Sequence, residues 1–85
     1  MSYDYKVERE KLFTDAGSRK FLRVRDKVKE LIALSGAVRS REAVLHESSL
    51  GYELIACLDR MVELGEIAEV TGPKTIQQYR VFVGA

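Results

Sequence analysis

The chain has 85 residues, 46% hydrophobic and 32% charged, with a formal net charge of +1. That length suits one small domain with an economical core, and that balance excludes a disordered polar tract. No run approaches the roughly 18 apolar residues of a membrane span; the start, MSYDYKVEREK, lacks a secretory pattern, so the expected location is cytoplasmic with no membrane partner.

The first 17 residues, MSYDYKVEREKLFTDAG, form an N-terminal arm ahead of a domain spanning 18–85. Tyr3, Tyr5 and Val7 alternate with charged residues, which suits a short strand or extended arm anchored by Leu12 and Phe13. The alternative is a frayed terminus. Residues 18–35 follow as a helix, with Ser18 as N-cap and Gly36 as left-handed C-cap. Phe21, Val24, Val28, Leu31 and Ile32 make its apolar stripe. Leu22 and Leu34 fall off that stripe and are available to the arm or to another copy of the chain.

Ala37-Val38-Arg39 reads as a minimal strand. Ser40 then caps a short helix, REAVLHE, with Ala43, Val44 and Leu45 inward. Ser48 and Ser49 offer a second cap to the next helix, LGYELIACLDRMVEL, which ends at Gly65. Leu50, Leu54, Leu58, Met61 and Val62 form its stripe, with Ile55 at the edge and Cys57 at the margin as a packing residue. Ile67 and Val70 lie in a strand, Thr71-Gly72-Pro73-Lys74-Thr75 is a turn, and Tyr79, Val81 and Val83 alternate with Arg80 and Phe82 in a last strand.

The order is helix, tiny strand, short helix, turn, longer helix, strand, turn, strand. With SREAV at 40–44, Ser48-Ser49-Leu50, LDRMVELGEI at 58–67 and YRV at 79–81, residues 18–83 resemble the winged helix-turn-helix family. The fold this implies is α+β, a three-helix bundle with a small antiparallel β-hairpin wing. A plain three-helix bundle with a loose hairpin is the alternative, disfavoured by the hairpin's β-branched and aromatic content.

The resemblance implies a double-stranded DNA-binding regulator whose third helix reads a groove while the wing meets the backbone. Carried over, the reading positions are Ser48, Ser49, Tyr52, Glu53 and Ala56, and the wing contacts are Lys74, Thr75, Gln77 and Gln78. Arg39 and Arg41 would grip phosphates. Tyr52 also suits a packing role, and Gln77 and Gln78 also suit plain exposed strand positions.

Charge placement adds a second reading. Residues 1–45 carry eleven Lys or Arg against seven Asp or Glu, and residues 46–85 carry three against six. The cations crowd the first helix, at Arg19, Lys20, Arg23, Arg25, Lys27 and Lys29; Arg19, Lys20, Arg23 and Lys27 are a candidate basic patch, or a solvated face. The third helix's polar face holds Tyr52, Glu53, Ala56, Asp59, Arg60 and Glu63, poor in the cations that phosphates attract. The runner-up is therefore a protein-interaction module, through that acidic face or through Leu22 and Leu34, with a homodimer also expected. Cys57 and His46 are each single. With neither a phosphate-binding loop nor metal-ligand spacing, no enzyme activity, cofactor or metal is expected.

Overall fold

The computed structural model describes residues 3–43, 52–72 and 79–85. Its elements are α1 (Tyr5–Arg9), a 3-10 turn (Glu10–Phe13), α2 (Asp15–Ser35), β1 (Ala37–Arg39), α3 (Ser40–Ala43), α4 (Tyr52–Glu63), β2 (Ile67–Glu69) and β3 (Val81–Gly84). The architecture is α+β, with a three-stranded antiparallel sheet ordered β1-β3-β2. The hairpin is thus hydrogen-bonded on both sides of β3 rather than loose. Among the described residues, no helix is long and apolar enough to cross a membrane.

The arm is neither a strand nor frayed. Asp4 caps α1 by accepting from the Lys6 amide at 3.0 Å, and the chain passes without a break into the 3-10 turn. Leu12 is buried as expected, whereas Phe13 is exposed. The helix that follows starts three residues earlier than Ser18. Thr14 is its N-cap, accepting from the Gly17 amide at 3.0 Å. Ser18 instead donates from its hydroxyl to the Leu12 carbonyl at 3.0 Å, tying the turn to α2. Gly17 allows this approach, because a Cβ there would stand 1.8 Å from the Lys11 carbonyl oxygen.

Both predicted helix ends are present. Gly36 has φ of 81° and closes α2 by donating to the Ile32 carbonyl. Gly65, with φ of 76°, donates to Val62 while Glu66 donates to Met61. That pair of bonds is the Schellman arrangement, which satisfies carbonyls at the end of α4 and turns the chain into β2.

The core gathers Val24 and Val28 from α2, Val38 from β1, Ala43 from α3, Leu54, Leu58 and Met61 from α4, Ile67 from β2 and Phe82 from β3. Register places Val38 opposite Phe82 and Glu69 opposite Phe82 on the other side. Phe82 is fully buried and its neighbours Val81 and Val83 only partly so. The last strand therefore turns Phe82 inward, and the alternating set Tyr79, Val81 and Val83 faces outward. Val70 lies just past β2 and is exposed. Leu34 stands clear of the domain at 76% exposure.

Candidate nucleic-acid interface

The site begins with where the charges go. Arg80 precedes β3 on the same side as Phe82, and its guanidinium lies 5.1 Å from that ring's centre. It donates to Asp59 Oδ1 at 2.5 Å and Oδ2 at 3.2 Å, and to Glu69 at 2.7 and 2.9 Å. Thr71 adds a hydroxyl bond to Glu69 at 2.6 Å. Burial works to lower the Arg80 pKa, but the hydrogen bonds and charges of Glu69 and Asp59 outweigh it and the net shift is upward. The Arg80 bond holds the Glu69 carboxyl below its usual range. Helix α4 and the hairpin are clamped together by these bonds.

The polar face of α4 is covered by the chain's own arm. The Tyr3 hydroxyl donates to Asp59 at 2.5 Å and the Tyr5 hydroxyl to Glu63 at 3.0 Å. Tyr3 packs edge-on against Tyr52, with ring centres 5.5 Å apart. Arg9 donates to both Glu63 oxygens at 2.9 and 3.2 Å, and Arg60 donates to the same carboxylate. The Phe13 ring lies near both guanidiniums, at 4.8 and 5.2 Å. Burial first, then the bond to Glu63, pushes Tyr5 up to about 12. Burial followed by the Asp59 bond also raises Tyr3. The hydrogen bonds from Arg9 and Arg60 lower Glu63 to about 2.

One expectation is corrected here. Ala56 is fully buried and reads nothing. Glu53 faces Lys20, 3.6 Å away, and Tyr52 meets the arm. The arm thus covers part of the polar face of α4 and leaves Tyr52 and Glu63 exposed. Of the basic patch, Lys20 pairs with Glu53 and Lys27 with Glu30, as Arg25 does with Asp26 and Lys29 with Glu66. Arg19 and Arg23 are exposed on the same helix. Much of this face is a solvated, ion-paired one. Leu22 joins Leu12, Phe13, Phe21, Arg60 and Leu64 around a surface groove of about 240 Å³.

Arg39 and Arg41 stand apart from this pairing. Both are exposed, and neither side chain forms an ion pair among the described residues. The Arg39 amide donates to Glu42 at 3.2 Å. The Ser40 amide between them donates to the Arg80 carbonyl at 2.8 Å. The β1–α3 junction therefore lies against Arg80, the residue before β3. Lys74, Thr75, Gln77 and Gln78 lie outside the described residues, as do Val44, Leu45, His46, Ser48, Ser49, Leu50 and Pro73. Among the described residues, no three His, Cys, Asp or Glu side chains gather to hold a metal ion.

No known protein family, curated protein or solved structure matches this chain.

Two outcomes follow from the carboxylate contacts. Arg80→Ala leaves Asp59 and Glu69 without their shared cation and should cost about 3 kcal/mol in urea unfolding; a loss below about 0.5 kcal/mol, the usual scatter of surface changes, would refute the clamp. Glu63 has a folded pKa below its ordinary value, so its contribution is present above pH 4.5 and lost as pH falls toward about 2. Carbon-13 NMR of the Glu63 carboxyl should show a midpoint near 2. A midpoint at the ordinary 4.5 would mean that the arm contacts do not form.

Proposed function

We propose that this protein is a small winged-helix regulator, not an enzyme, that binds double-stranded DNA through Arg39 and Arg41, with residues 73–78 as wing contacts by the resemblance. The observation that carries the reading is the pair of exposed arginines flanking Ser40, whose amide is bonded to Arg80 beside the returning strand. Most cations on α2 already have carboxylate partners, so they release fewer counterions to a duplex. Arg39 and Arg41 have none among the described residues and suit phosphate oxygens.

The element order and the sheet order support a winged-helix arrangement. In that arrangement the segment joining β2 to β3 is the wing, and Lys74, Thr75, Gln77 and Gln78 add contacts to the sugar-phosphate backbone. Ser48 and Ser49, which precede α4 in the sequence, and the exposed Tyr52 at the start of α4 remain the groove-reading candidates. The C-terminal part of α4 takes no part, because the arm occupies it.

A second reading has its own observation. Leu34 is 76% exposed, and Leu22, Phe13 and Leu64 rim an apolar groove. These surfaces suit a protein-interaction module or a homodimer.

Arg39→Ala with Arg41→Ala should weaken binding to a labelled random-sequence duplex about tenfold near 0.1 M salt, and reduce the salt slope by about 2. Fluorescence anisotropy at several salt concentrations reads both. Unchanged affinity and slope in a folded double variant would remove this edge from the interface.

A further inference from the structure

We propose that residues Tyr3–Arg9 form a strap that opens as a unit while the rest of the fold stays intact, and whose closure screens the acidic face of α4 from DNA. The proposal deepens the DNA reading and rests on it for the second part. The first part stands on the packing alone.

The two halves of the arm are held very differently. Residues 10–13 are fixed by buried Leu12, by the Ser18 bond to the Leu12 carbonyl and by the close approach of Gly17 to Lys11. Helix α1 contains no buried residue. It is five residues long, too short to be helical without support. Residues 3–9 are held to α4 mainly by polar and aromatic contacts, Tyr3 on Asp59 and Tyr52, Tyr5 on Glu63, and Arg9 on Glu63 and Phe13, with only the half-buried rings of Tyr3 and Tyr5 packing against the core. Segments with little apolar burial and exposed polar contacts open at low free energy, ahead of global unfolding.

Asp59, part of the charge that opening reveals, is linked to the proposed DNA edge through Arg80. Asp59 is bonded to the Arg80 side chain, and the Arg80 carbonyl accepts from Ser40, between Arg39 and Arg41. With the strap closed, Glu63 has Arg9 and Arg60, and Asp59 has Tyr3 and Arg80. With it open, Glu63 loses one of its two cations and Asp59 loses its phenol. The uncovered carboxylates then add unneutralised negative charge to the face of α4, which repels a phosphate backbone within a screening length.

The test uses the full-length chain with Arg9→Glu, the exchange Arg9→Glu with Glu63→Arg, and Lys6→Glu as a charge-matched control on the same strap. Lys6 makes no ion pair among the described residues. Tryptic cleavage after Lys6 reports the open population when opening is fast. It should rise about tenfold in Arg9→Glu, where an attraction becomes a repulsion, and return to the wild-type rate in the exchange. Cleavage within α2 and after Arg60 in α4 should not change, the site that the exchange adds after position 63 aside. Duplex affinity should fall further in Arg9→Glu than in Lys6→Glu, by about twofold for one uncompensated charge near 10 Å in water, and recover in the exchange. No rise in cleavage after Lys6, or an equal rise within α2 and α4, would overturn the strap. Equal affinities in Arg9→Glu and Lys6→Glu would overturn its screening role. A wild-type chain that binds no duplex would overturn both that role and the DNA reading, while cleavage would still decide the strap.

Discussion

One guanidinium organises much of this structure. Arg80 is 11% exposed, lies over the buried ring of Phe82, and is bonded to carboxylates from α4 and β2. Burying a charge is costly, and only close, multiple hydrogen bonds to opposite charge offset it. Those bonds require Asp59 and Glu69 to converge on the same side of the sheet. Once they do, the hairpin has one position relative to the helix. The backbone carbonyl of the same residue accepts from Ser40, so the start of α3 is set by the same point. In a chain of 85 residues with a modest apolar core, such a cross-link does what a larger core does elsewhere.

The charge pattern follows from this. Asp59, Glu63 and Glu69 make α4 and β2 look hostile to a polyanion when counted along the chain. In the fold, each is held by Arg80, Arg9, Arg60 or a tyrosine hydroxyl. The acidity of the third helix is thus largely structural, and it weighs less against DNA than the sequence count suggests. The surface cations left without carboxylates include Arg39 and Arg41, at the junction of strand and helix. The binding edge we propose is therefore defined by which charges the fold leaves unneutralised rather than by which helix carries the most bases.

Much of the frame was legible from residue pattern. Gly36 and Gly65 marked helix ends because a left-handed residue there needs glycine. Val24, Val28, Leu54, Leu58 and Met61 marked inward faces by their spacing, and all are buried. The arm was not legible, because α1 buries nothing of its own and so carries no apolar period. Thr14 and Ser18 are both good caps, and only the Gly17 contact with Lys11 decides between them. The last strand is apolar on both faces, so alternation alone could not tell that Phe82 points inward and Val81 outward. Ala56 fell on the polar side of the helical wheel, yet it is buried; a wheel does not register a second element packed over that side. Of the proposed site, Arg39 and Arg41 were named from their place at the start of the short helix, and the fold leaves both exposed. Arg80 and Asp59 were missed as a pair because 21 residues separate them.

The most direct test of the central claim is an amide chemical-shift titration of the uniformly nitrogen-15-labelled chain with a short random-sequence duplex at low salt. The account predicts the largest shifts at Arg39, Ser40 and Arg41 and in the segment 73–78, with little change at Asp59 and Glu63 beneath the arm. Shifts centred on the C-terminal half of α4, or none at any duplex concentration, would contradict it.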